Sequence, residues 1–298
     1  MRTLLGLVTL VVVGFGVGAE RAEAPDEPGL VHEMAGVATG AVQLAGPADG
    51  DMARAFLDAA TGANAVVCAL VVQSVSNGWG GTGSMTTVVG EDTPGEAERS
   101  VLNWVRERGF DEEVLAPLAD GLAHPDSCRR QVSAALFGRV DESDAVPILR
   151  PLVGATSRQT RIAAIKALGH VEAGEAAALI QGTLADEDTG VRQAGAWALG
   201  RVEDVASIAA LATALQDSDS GVRGNAAWAL GRIEHRDGIA PLAGALAGDT
   251  QPEVRINAAW ALGRIEHADG VPALTDALSS DSDPLVRKAA AWALGQLS

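Results

Sequence analysis

From about residue 111 onward, apolar positions return in two alternating blocks. In DGIAPLAGAL, Ile239, Leu242 and Leu246 fall at i, i+3 and i+7. In PEVRINAAWALGRI, Val254, Asn257, Ala258, Ala261, Leu262 and Ile265 keep helical spacing. A 3.6-residue period predicts helices; strands would alternate with a period of 2. Short acidic and small polar segments join the blocks, as in DSDSG at 217–221 and GDTQPE at 248–253. Each pair of blocks is therefore a helix–turn–helix.

The pair repeats. The chain reads VRQAGAWALGRVE from Val191, VRGNAAWALGRIE from Val222, VRINAAWALGRIE from Val254 and VRKAAAWALGQLS from Val286. Trp197, Trp228, Trp260 and Trp292 are 31, 32 and 32 residues apart. Weaker copies precede them, with Arg161 and Arg130 in the frame of Arg192, and Leu168-Gly169 and Phe137-Gly138 in the frame of Leu199-Gly200. That makes six units. One such unit cannot bury its apolar face alone, so neighbours must stack, and the expected fold is an all-α solenoid.

The glycines and alanines of AAWALG let helices approach closely. Gly200, Gly231, Gly263 and Gly295 each follow a core leucine and remove a side chain at the contact. Pro252 and Pro284 suit a first helical position, where the missing N–H costs nothing. On a helical wheel the tryptophan lies about 140° from the centre of the apolar cluster. Trp197 is thus turned away from Val191, Ala194, Ala198 and Leu199, and Arg201 shares its side one turn later. Arg232 and Arg264 repeat the placement. In earlier units Lys166 and Ala135 take the tryptophan position, and His170 and Arg139 the arginine position. This face carries cations and indoles with hardly any carboxylate. Exposed Trp and Arg are the residue types most enriched in binding hot spots.

Arg192, Arg223, Arg255 and Arg287 are read differently. Each begins a second helix behind an acid, at Asp188, Asp219, Glu253 and Asp283, and is expected to tie and cap units. The Asp-rich loops lack the spacing of a calcium site.

DxxVRxxAAWALGRI followed by DGxxPLxxAL resembles the HEAT-like repeat of the phycobilisome lyase type, over roughly residues 111–298. The resemblance implies a right-handed α-solenoid whose second helices line the concave side. Trp197, Trp228, Trp260 and Trp292 would then form a row on that side. Relatives of this type include bilin lyase subunits, deoxyhypusine hydroxylases and plain scaffolds. The hydroxylases hold iron with His-Glu pairs in several repeats. The His-Glu of this chain, His32-Glu33, stands outside the array, and His235 and His267 fall in turns. No nucleophile–base set is visible, so neither an enzyme nor a cofactor is expected; the alternative that the resemblance implies is a non-hydrolytic lyase-type subunit holding a planar chromophore on the tryptophans.

Ahead of the array, residues 1–24 read as a secretory leader. Arg2 precedes the apolar run Leu4–Val17, and small residues follow near Ala22-Glu23-Ala24. The run is about 14 residues, short of the roughly 20 that span a bilayer. An exported protein is expected, with a retained N-terminal anchor as the alternative. Residues 25–50 read as a tether, Asp51–Val75 as a degenerate helix pair, Asn77–Gly95 as a Gly-rich linker and Glu96–Arg108 as an amphipathic helix. Regular helical structure thus fills 96–298. Cys68 and Cys128 are either separate core residues or a disulfide, which export would permit.

The net charge is −17, and residues 25–125 hold 4 basic against 15 acidic residues. A general nucleic-acid binder needs a basic footprint. The expected partner is a protein or peptide with acidic or aromatic segments. Self-association is a further expectation, through a C-terminal edge at Val286, Ala290 and Leu294.

Overall fold

The computed structural model describes residues 7–8, 42–43, 54, 57–58, 60–63, 68 and 112–297. Its contacts divide the chain into two compact units, Met1–Val132 and Ser133–Ser298. The Gly-rich linker and the helix expected at 96–108 lie outside the described residues, as does most of the leader and tether.

In the first unit, β1 (Leu7–Val8) pairs antiparallel with β2 (Val42–Gln43). Leu57 is fully buried. Gly62, at φ +79°, turns the chain after it in a conformation that glycine adopts without strain. Three links tie this segment to the start of a later helix. The Gly62 N–H donates to Asp126 Oδ2 at 3.0 Å. Asp58 pairs with Arg129. Cys68 and Cys128 form a disulfide with Cα atoms 5.5 Å apart. The bridge closes a loop of 60 residues, so Cys68→Ser is expected to lower the stability of this unit by about 4 kcal/mol in the chain-entropy account. Denaturant melts with and without reductant check this. Equal midpoints would contradict it.

α1 (Glu112–Ala123) and α2 (Ser127–Phe137) form the first helix pair. In the second unit the first helices are α3 (Glu142–Val153), α5 (Ala177–Gly182), α7 (Ile208–Ala214), α9 (Ile239–Gly248) and α11 (Val271–Ser280). The second helices are α4 (Arg158–Val171), α6 (Thr189–Val202), α8 (Ser220–Ile233), α10 (Pro252–Ile265) and α12 (Pro284–Gln296). This is the all-α solenoid of stacked helix pairs that the periodicity predicts.

Local chemistry sets the helix ends. The carboxylates of Asp188, Asp219 and Asp283 accept the N–H groups of Val191, Val222 and Leu285, capping α6, α8 and α12. At α10 no side chain caps, and Pro252 opens the helix instead. The core lies between the two helix layers. Ile180, Leu211, Leu242 and Leu274 enter from the first helices and Leu199, Leu230 and Leu262 from the second, each at most 1% exposed.

A ladder of arginines runs along the inter-helix loops. Arg192 grips Asp217 of the next unit with two bonds, Nε at 2.7 Å and Nη2 at 3.0 Å. Its Nη1 donates back to the carbonyls of Asp186 and Glu187 in its own loop. Arg223 does the same with Asp249, and Arg255 with Asp281. Arg287 keeps the backward bonds, to the carbonyls of Asp281 and Ser282. Two sets of acids therefore divide the work. Asp188, Asp219 and Asp283 cap helices, and the acid at the start of each loop takes the arginine. Glu253 does neither.

The C-terminal edge is not as expected. Val286 and Ala290 are fully buried, because they face the core of their own unit, and only Leu294 is half-buried. The large apolar side chains left open in the last helix pair are Val271, Leu278, Leu285 and Trp292. Among the described residues, no helix is long and apolar enough to cross a membrane.

Candidate binding face

Four tryptophans define the face. Trp197, Trp228 and Trp260 are half-buried, and Trp292 is 43% exposed. The cover comes from the preceding unit. A Cβ placed on Gly169, Gly200, Gly231 or Gly263 would stand 2.8, 2.6, 2.8 or 3.1 Å from Cζ3 of Trp197, Trp228, Trp260 or Trp292. Each indole thus seats its six-membered ring on bare backbone of the previous second helix. The next alanine shares the seat, since the same Cβ on Gly231 would lie 2.7 Å from the Cα of Ala261. A Cβ placed on Gly295 would meet nothing within 4 Å, so no indole is seated there. Sequence reasoning turned the tryptophans outward and missed the seat. Its signal was there, as a glycine one unit before every repeated tryptophan.

The arginines of the face are not free cations. Arg201 Nη2 lies 2.6 Å from Glu172 Oε1, Arg232 pairs with Glu203, and Arg264 pairs with Glu234. The expectation of a face nearly devoid of carboxylate is therefore wrong. The acids come from the residue just past each preceding second helix. Glu172, Glu203, Glu234 and Glu266 sit there at φ 58, 57, 52 and 52°. This left-handed stop position favours glycine, and a side chain with Cβ costs roughly 1–2 kcal/mol there. Arg264 also lies over the Trp260 ring, with Cζ 5.9 Å from the centroid.

Glu203→Gly should therefore raise stability by about 1 kcal/mol, since an exposed pair contributes at most about that much and the backbone strain disappears. Chemical denaturation measures it. A loss above about 1 kcal/mol would show the pair to be stronger than its exposure allows.

One unit earlier the pattern changes. His170 stands edge-on to Trp197, with ring centroids 5.2 Å apart and planes at 65°. Burial, then the charges of Arg201 and Lys166, push its pKa down to about 4, so it is neutral at pH 7. Lys166 takes the tryptophan position on α4 and its side chain is exposed. Partial desolvation draws its pKa below the ordinary value. Arg139 is half-buried in the turn after α2, where its N–H donates to the carbonyl of Leu136.

His235 and His267 are structural turn residues. Their Nδ1 atoms accept the N–H groups of Asp237 and Asp269, at 3.3 and 3.2 Å. Among the described residues, no group of His, Cys, Asp and Glu is arranged to hold a metal.

A family model described as HEAT repeats matches residues 176–251 and 239–298. No curated protein matches the chain. Among solved structures, a designed armadillo repeat protein in complex with the peptide (KR)4 is 20% identical, covering 62% of this chain and 99% of its own, with a TM-score of 0.45. A computationally designed armadillo repeat protein for modular peptide recognition is 20% identical over 62% of this chain and 100% of its own, with a TM-score of 0.43. Human deoxyhypusine hydroxylase in complex with glycerol is 19% identical over 78% of this chain and 97% of its own, with a TM-score of 0.33.

Proposed function

We propose that this protein is an exported, non-enzymatic scaffold that binds an extended polypeptide segment across the tryptophan face of α6, α8, α10 and α12. One observation carries the reading. The indoles recur once per unit, each held by a glycine seat, and three of the four have an Arg–Glu pair beside them. Seated indoles are rigid anchors that lose little freedom on binding. An Arg–Glu pair presents a donor and an acceptor together, as a peptide group does.

The neutral pairs revise the expected partner. A face of free arginines would draw an acidic segment along its whole length, whereas alternating Arg and Glu favour an extended backbone of mixed character. They also disfavour a polyanion such as nucleic acid. Glycine-to-alanine packing lets successive second helices approach closely, which supports the concave face that the repeat type implies. Export is supported by the apolar run Leu4–Val17 and by the Cys68–Cys128 disulfide, a bond that persists in oxidising compartments.

The test is selection from a displayed library of random nonapeptides on the full chain. Enriched peptides are expected to lose binding to Arg232→Glu, a partly exposed position whose variant should fold normally. Peptides that bind this variant as well as the wild type, or a library that yields none, would sink the proposal.

A further inference from the structure

The second helices present two lanes on the face. One lane holds Lys166, Trp197, Trp228, Trp260 and Trp292; the other holds His170, Arg201, Arg232, Arg264 and Gln296. In the middle units the arginines are neutralised by Glu172, Glu203 and Glu234. On α4 the chemistry is different. Lys166 and His170 are four residues apart and share one side of the helix. Trp197 of the next unit stands edge-on to His170, with ring centroids 5.2 Å apart.

The groups around this rung leave it positive. From α6 come Trp197 and Arg201, and Arg201 is occupied by Glu172 at 2.6 Å. From the turn after α2 comes Gly138, where a Cβ would lie 3.0 Å from the His170 carbonyl and 3.1 Å from its Cβ. Its neighbour Arg139 is a further cation with interactions of its own. Asp141 opens α3 nearby in sequence. Partial desolvation lowers the Lys166 pKa, and desolvation with the charges of Arg201 and Lys166 lowers that of His170. Lys166 is thus a partly desolvated ammonium with no ion-pair partner among the described residues, on the same side of α4 as a neutral imidazole. The other lysine of the array, Lys288, stands one turn before Trp292, outside the arginine lane.

We infer that the Lys166–His170 rung is the anchor for one acidic side chain, an Asp or Glu, of the bound segment. The inference rests on the peptide-binding reading above and sharpens it: the partner carries one fixed carboxylate at this end of the face instead of acidity throughout. The ammonium and the imidazole N–H supply two donors, one of them charged, and bonds of that kind are the stronger sort. The carboxylate supplies the charge that Lys166 lacks.

Parallel selections from the same nonapeptide library, on wild type and on Lys166→Met, test this. Methionine keeps the stem and removes the charge at an exposed position. The wild-type pool is expected to fix an Asp or Glu at one position, and the Lys166→Met pool to lose that preference while retaining the rest of its pattern. Replacing the acid by its amide should weaken binding to wild type about tenfold or more and to Lys166→Met less than twofold. In NMR titrations the acidic peptide should raise the His170 pKa from about 4, and the amide peptide should not. An acidic preference that survives Lys166→Met, or a wild-type pool with no fixed acid, overturns the anchor and leaves the peptide-binding reading standing. A library that gives no enriched pool on wild type overturns both.

Discussion

Gly231→Ala will destabilise the solenoid by about 2 kcal/mol, although the same change in an ordinary helix gains up to about 1 kcal/mol. The reversal comes from the stack. A methyl group at Gly231 would stand 2.7 Å from both Cα and Cβ of Ala261, and 2.8 Å from Cζ3 of Trp260. Two of those atoms cannot swing away, because they belong to the backbone and the shortest side chain of α10. The helices must separate, and the indole must leave its seat. Gly295 is the internal control, since its added Cβ meets nothing within 4 Å. Gly295→Ala should be neutral or stabilising by up to about 1 kcal/mol. The two variants should therefore differ by about 2–3 kcal/mol in denaturant unfolding. Equal effects would mean that the helices are not in contact at Gly231.

Asp249→Ala should cost about 3–5 kcal/mol, the largest loss expected from one side chain on the loop side. Its carboxylate takes both Nε and Nη2 of Arg223, at 2.6 and 2.9 Å, and accepts the Gln251 N–H at 2.9 Å. The paired side chains are only 14% and 6% exposed. Removing the acid strands a guanidinium that Nη1 still ties to the carbonyls of Asp217 and Ser218. Arg232→Ala on the open face, by contrast, should cost no more than about 1 kcal/mol.

The ladder also sets a direction with pH. Hydrogen bonds from Arg192 and Arg255 hold Asp217 and Asp281 below 3.8. For Asp249 burial pushes upward, but Arg223 and the Gln251 N–H outweigh it and the net shift is also downward. Carboxylates depressed in the folded state contribute stability that is present above 3.8 and lost as pH falls through their lower folded values. Acid unfolding below about pH 4 should be blunted in Asp249→Ala. An identical acid limb in both proteins would place the acid-sensitive groups elsewhere.

Much of this fold was legible because one phrase is written four times. The period located Val191, Ala198 and Leu199 in the core and Trp197 outside it, and it gave Arg192 a structural role apart from Arg201. The electrostatics of the face were not legible. Glu203 lies past the end of its helix, in a backbone conformation that glycine prefers, so a wheel drawn for α6 does not include it. The partner of Arg232 is thus 29 residues away and invisible to any pattern within one helix. The seat of each tryptophan was missed for a similar reason. Wheel positions report a helix's relation to its own unit, whereas Trp228 rests on Gly200 of the unit before. The C-terminal edge failed differently: Val286 and Ala290 face α10 and α11, already covered, and the open apolar side chains lie elsewhere on that unit.

The repeated phrase therefore serves both packing and surface chemistry, and the central claim is that the surface binds. Hydrogen exchange of the full chain with and without a selected nonapeptide tests this most directly. Binding should slow exchange in the later turns of α6, α8 and α10, around Trp197 to Arg201, Trp228 to Arg232 and Trp260 to Arg264, with the outer surfaces of α7, α9 and α11 unchanged. Protection confined to the first helices, or spread evenly over the stack, would contradict it.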